Sequence, residues 1–145
     1  RLNYRNMVAV CWGNRDAHSN EDKSCDAKRG SLKDIQQSMK KINVFDGTTL
    51  SDIKYSSDGT IYSNDKDLDE DLNLRLNLNC EARRLKECRL QALHALHRSI
   101  AQKYFGKTAP QSYYQKLMEH YTAQQEMKTP YSGILIYWLN KHIRQ

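Results

Sequence analysis

The sequence predicts an α+β fold that is mostly α, on three observations. The apolar pattern takes on helical spacing from residue 80 onward, one β-hairpin signal lies at residues 52–63, and a long, almost wholly polar stretch fills residues 12–31. The chain therefore divides into residues 1–34, a loop-built start; residues 35–79, a loop and hairpin region; and residues 80–145, a helical region.

The elements follow in order. The run Met7-Val8-Ala9-Val10-Cys11 is short, a buried turn or the start of a helix. From Trp12 to Gly30 the chain reads as one long loop, with turn signals at Gly13-Asn14 and Arg29-Gly30, and loops of this length in compact domains are functional or disordered. Ile53 and Tyr55 alternate with polar neighbours, Asp58-Gly59 supplies a turn, and Ile61 resumes the pattern, which makes a hairpin. The acidic stretch Asp65 to Asp71 reads as a solvated loop, since it lacks the glycine and ligand spacing of a calcium loop. Beyond it, Leu85, Cys88, Ala92 or Leu93, Leu96 and Ile100 form one helical stripe, with Asn79 expected as N-cap and a stop near Phe105-Gly106. A second helix is expected from about Pro110, with Tyr114, Leu117 and Tyr121 on one face. A third is expected from Thr129-Pro130, carrying Ile134, Leu135, Trp138 and Leu139.

With 39% hydrophobic and 28% charged residues and a mean hydropathy of -0.86, the chain is polar for a free-standing globule, which points to a partner or a further segment. Its formal charge of +6 is unevenly spread: +2 over residues 1–34, -3 over 35–79 and Cys80, and +7 over 81–145. A basic helical half suits phosphates, an acidic protein face, or an ordinary solvated surface. No run approaches the ~20 apolar residues of a membrane span, and no signal peptide is visible. The irregular spacing of Cys11, Cys25, Cys80 and Cys88 and the lack of secretory features suggest reduced thiols, with Cys11 and Cys25 as candidate metal ligands.

Asn6 stands five residues before Cys11, and Cys25-Asp26-Ala27-Lys28 follows. This resembles the Asn-Leu-x-x-x-Cys and Cys-His/Asn-x-x-Lys segments that form the second half of the ββα-metal finger in HNH endonucleases. Met7 replaces the usual Leu, an insertion from Trp12 to Ser24 separates the cysteines, and Asp26 takes the place of the last His. The hairpin, then Leu76-Asn77-Leu78-Asn79, Leu85 and Arg89, narrow the resemblance to the retron- and Septu-associated (PtuB-like) HNH proteins of anti-phage defence.

The resemblance implies a partial HNH finger in residues 1–34 and a metal-dependent DNA endonuclease subunit in the bacterial cytoplasm. It implies an ABC-type ATPase (PtuA-like) partner and no membrane association. Cys11 and Cys25 would be two ligands of a structural Zn2+ whose other pair, a Cys-x-x-Cys, lies upstream of Arg1 together with the catalytic His. Asp26 would hold Mg2+ or another divalent cation, Asn6 would orient the finger, and Lys28 or Arg29 would contact phosphate.

Other readings stand beside these. Asn14 and His18 compete as ligands within the insertion, and His94 with His97 reads as surface decoration on a helix. The tyrosines and Trp138 read better as packing than as a base-stacking platform, although Leu135, Trp138 and Leu139 also suit an apolar patch for a partner. The alternative function is a non-catalytic zinc-finger adaptor that binds protein or nucleic acid. A purely helical interaction protein, with Cys11 and Cys25 inert, is the third.

Overall fold

The computed structural model describes residues 11–43, 48, 51–123 and 129–143. They form a mostly helical α+β arrangement with one two-stranded sheet, as the sequence predicts. The chain divides into two compact units, Arg1–Ile53 with Tyr62–Arg84, and Lys54–Ile61 with Leu85–Gln145.

The first unit is held by polar contacts more than by a greasy core. Its helices are short: α1 (Cys25–Arg29), α2 (Asp34–Gln37) and α3 (Lys66–Glu70), the last running directly into a single π-helical turn, Asp71–Arg75. Leu68 and Leu72, four residues apart and therefore on one face, are buried, as is Cys80. The acidic stretch expected as a solvated loop is instead the organising element. Asp65 caps α3 by accepting from the Leu68 amide at 3.0 Å. Asp71, with no exposed surface, accepts from the backbone N–H groups of Lys40 (2.9 and 3.0 Å), Lys41 (2.7 Å) and Ile42 (2.9 Å). Three consecutive amides converging on one carboxylate form a nest, which fixes the otherwise irregular segment around residue 40. Buried Arg75 donates from Nε to the Ser38 carbonyl at 2.8 Å, fixing the same segment a second time.

The second unit has an ordinary apolar core. The hairpin pairs β1 (Lys54–Tyr55) with β2 (Ile61–Tyr62), and its Asp58-Gly59 turn lies where the sequence places it. Gly59 has φ +81°, and a Cβ there would overlap the Lys86 carbonyl, so the position tolerates only glycine. Arg89 is buried and donates from Nη1 to the Gly59 carbonyl at 2.9 Å, which clamps the turn to the long helix. That helix, α4 (Leu85–Lys103), packs Leu96 and Ile100 against Ala109 and against Ile134, Leu135 and Leu139 of α6 (Ser132–Ile143). On α6 packs α5 (Gln111–Thr122), which adds Tyr113, Tyr114, Leu117, Met118 and Tyr121 to the periphery of the core.

Helix boundaries differ from the expected ones in two places. Asn79 does not cap α4, because residues 81–84 form a turn before the helix opens at Leu85, and the Asn79 amide donates to Asn73 Oδ1 instead, at 2.6 Å. Pro130 precedes α6 by two residues, since Tyr131 intervenes in the left-handed region at φ 58°. The stop at Phe105-Gly106 is as expected: both residues have positive φ, and the Gly106 amide returns to the Ala101 carbonyl at 2.8 Å.

Candidate functional site

The insertion between the two N-terminal cysteines is a closed loop with a pinned neck. Gly13, at φ +63°, lies flat against Ser24, whose amide donates to the Gly13 carbonyl at 2.8 Å. A Cβ at Gly13 would overlap the Ser24 carbonyl, so the neck closes only with glycine there. The loop itself is braced by Asn14 Nδ2, which donates to the Asp22 carbonyl at 3.0 Å, and by a 3₁₀ turn at Asn20–Asp22. This assigns Asn14 a structural task in place of metal ligation. His18 lies exposed on the loop.

With the neck closed, Cys11 lies near enough to Cys25, 14 residues on in sequence, to act on its thiol electrostatically. Burial raises Cys25 to about 11, with Cys11 adding to the rise. A proton therefore stays on this sulfur at neutral pH until a cation or a reacting electrophile displaces it.

The Leu76-to-Asn79 element positions the second cysteine. Asn77, itself at φ 46°, donates from Nδ2 to the carbonyls of Glu21 and Lys23, both at 2.8 Å. The Leu76 carbonyl accepts from the Cys25 amide at 2.7 Å, and Cys80 Sγ donates to the Asp22 carbonyl at 3.5 Å. The element is thus a cradle for residues 21–25. It adds no metal donor of its own.

The remaining expected site residues are placed less favourably. Asp26 follows Cys25 on α1, but its Oδ1 accepts from Arg29 Nε at 3.1 Å and Nη2 at 2.6 Å, so each occupies the other. Lys28 is buried, with Nζ 2.8 Å from Glu21 Oε1. Its amine is thus engaged by Glu21. Asn6 lies outside the described residues.

Two thiolates supply at most two corners of a tetrahedral structural zinc site. Among the described residues no group of three or more His, Cys, Asp or Glu side chains converges to complete it. Asp26, tied to Arg29 and without a second donor beside it, does not fit a catalytic divalent site by itself.

In the second unit, the expected apolar patch is also revised. Leu135 and Leu139 are 2% and 0% exposed and belong to the core, so they cannot face a partner. Trp138 is half-buried within an aromatic cluster, stacked on His142 (centroids 3.7 Å, 28°) and tilted against His97 (4.7 Å, 53°). His142 Nδ1 donates to the Trp138 carbonyl at 2.9 Å. His97 is not surface decoration: its Nε2 is shielded by packing, and burial, then the neighbouring His94 and His142, push its pKa down. A groove of about 230 Å³ runs past His97, Lys107, Tyr114 and Trp138.

Sequence reasoning missed the neck partners Gly13 and Ser24, the Glu21–Lys28 pair and the role of Asn77. Gly13 carried a turn signal and Asn77 lay in the most specific motif, so two of these were visible as residues though not as contacts. No helix among the described residues is long and apolar enough to cross a membrane. The chain matches no protein-family model, no curated protein and no solved structure.

Proposed function

We propose that this chain belongs to an HNH-type endonuclease subunit, and that Cys11 and Cys25 are two of the four ligands of its structural zinc. The nearness of the two thiols supports the reading: 14 residues apart in sequence and separated by an insertion, they flank a neck closed at Gly13 and Ser24, and Cys11 is near enough to help raise the Cys25 thiol. A DNA substrate suits the basic excess of residues 81–145. The ABC-type ATPase partner, the bacterial cytoplasm and the divalent catalytic cation rest on the family resemblance.

A second reading, a zinc-dependent adaptor without catalysis, is favoured by the side chains around the pair. Asp26 is engaged by Arg29 and Lys28 by Glu21, which leaves neither committed to metal or phosphate. Metal analysis and cleavage of supercoiled DNA with magnesium, on the intact protein, separate the two. Under the nuclease reading Cys25→Ser loses zinc, and Asp26→Ala retains zinc but abolishes cleavage. Zinc without any cleavage leaves the adaptor, and no zinc in the unaltered protein removes both.

A further inference from the structure

We propose that the groove on the second unit docks an acidic peptide segment of a partner protein. One bulky apolar side chain of that segment enters the groove, and its carboxylates pair with Lys107 and Arg98. The site is independent of Cys11, Cys25 and any metal. Trp138, Tyr114 and Ala101 give the groove apolar surface, Lys107 gives it a cation, and among the described residues no carboxylate lines it. A dry cavity of ~150 Å³ takes one benzene ring, so the groove's volume of about 230 Å³ suits a single Leu, Met or aromatic side chain. Phe105 immediately precedes the lining residues Gly106 and Lys107 and is 90% exposed. It lies in the left-handed region at φ 53°, where a bulky side chain is disfavoured. The turn that displays it is fixed by the Gly106 amide on the Ala101 carbonyl at 2.8 Å and the Lys107 amide on the Tyr104 carbonyl at 2.9 Å. An aromatic ring that serves the fold so little suits a surface kept for a partner.

Charge selects the partner. From Cys88 to Met118 the chain holds five Arg and Lys and no Asp or Glu, and α6 likewise lacks carboxylates. Within that stretch Arg98 and Lys107 are exposed and pair with no carboxylate among the described residues. Arg98 stands three residues before Ala101 and so shares its helix surface beside the groove. A nucleic acid would meet the same cations. A base, however, needs an open aromatic face, and Trp138 is already packed by His142, His97 and Tyr114.

The test is fluorescence polarisation with the 145-residue chain and a fluorescein-labelled, glutamate-rich peptide carrying one central phenylalanine. The same peptide with a central serine, its lysine-rich counterpart and a labelled single-stranded oligonucleotide run beside it. The glutamate–phenylalanine peptide should bind, and the serine and lysine changes should each weaken it about tenfold or more. Arg98→Glu with Lys107→Glu should lose the acidic peptide by about the same factor and gain the lysine-rich one. Phe105→Asn separates binding from folding: asparagine is at ease at positive φ, so the unfolding midpoint should hold or rise while peptide binding weakens. Ala101→Leu, at an exposed helical position, should plug the groove and weaken binding with the fold intact. No binding of the acidic peptide at millimolar protein overturns the proposal, as does binding that Ala101→Leu and Phe105→Asn leave unchanged. Tighter binding of the oligonucleotide, lost in the same variants, overturns it in favour of a nucleic-acid site. Self-association that Phe105→Asn abolishes, without peptide binding, overturns it in favour of a contact between copies of this chain.

Discussion

Replacing Asp71 with Ala tests the claim that one buried carboxylate organises the first unit. The substitution deprives three successive amides, those of Lys40, Lys41 and Ile42, of a charged acceptor, and leaves buried Arg75 with Glu70 but without the buried carboxylate at 3.4 Å. A hydrogen bond to a charged group contributes ~1.5–3 kcal/mol net. Lys40 and Lys41 are exposed residues, so water recovers part of what their amides lose, and the expected total is about 3 kcal/mol. A unit of this size has a stability of only ~4–11 kcal/mol, so the change is a large fraction of it. Urea unfolding gives the magnitude, and amide hydrogen exchange locates it: protection should collapse at residues 40–42 and along α3. Asp71→Asn, which keeps one acceptor oxygen, should fall between. A loss under about 1 kcal/mol with exchange at 40–42 unchanged would refute the reasoning.

Four further expectations follow from the same contacts. Gly13→Ala should open the neck, since the new Cβ overlaps the Ser24 carbonyl, and the Ser24 amide, which donates to the Gly13 carbonyl, should lose its protection in hydrogen exchange. Leu139→Ala, at a fully buried core position, should cost ~2–5 kcal/mol in thermal or urea unfolding, whereas a residue at a partner interface would leave stability nearly unchanged. The hydroxyls of Ser56 and Thr60 and the Thr60 amide hold Asp58 down to about 2, so the hairpin gains stability from it above the ordinary carboxylate range. That gain should fade as pH drops from about 4 toward 2, followed by the Thr60 amide shift in NMR, and Asp58→Asn should flatten the titration. His97 is depressed from the ordinary 6.5, so its neutral form stabilises the second unit above that pH, and stability should fall as pH drops below it. His97→Phe should remove that slope, measured by urea midpoints across pH 5 to 7.5.

The helical half was legible because its signals are local. The stripe ending in Leu96 and Ile100 needs only a 3.6-residue period, and the stop at Phe105-Gly106 only a glycine after the last apolar turn. The hairpin was legible for the same reason, from Asp58-Gly59 and the alternation around it. What could not be read was long-range polar pairing. Asp71 lies 29 to 31 residues from the amides it holds, and no pattern in Asp65–Asp71 separates an anchor from a solvated loop. Period alone also cannot separate a core stripe from a partner-facing one, which is why Leu135 and Leu139 were read outward. At the candidate site, the cysteines were legible as a pair and the fold around them was not, because it depends on Gly13 and Ser24 closing a neck that spacing does not express. Lys28 and Asp26 carried the right charges for a site, but the nearby Glu21 and Arg29 take them up first.

The pinned neck also makes the loop above it a site where sequence length is cheap. Its base is fastened at Gly13–Ser24, and residues 20 to 24 are tied down by Asn14, Asn77 and Cys80, but Asp16, Ala17 and His18 carry only one local turn bond, from the Ala17 amide to the Asn14 carbonyl. For a loop whose ends are already fixed, doubling the length costs only ~0.6 kcal/mol of closure entropy. A peptide tag or fluorophore-binding hairpin spliced between Asp16 and His18 should therefore ride outside the fold without moving Cys25. That tip can be lengthened, shortened or retargeted at little cost to the fold, so the segment that separates the two cysteines in sequence is the one best suited to carry new recognition.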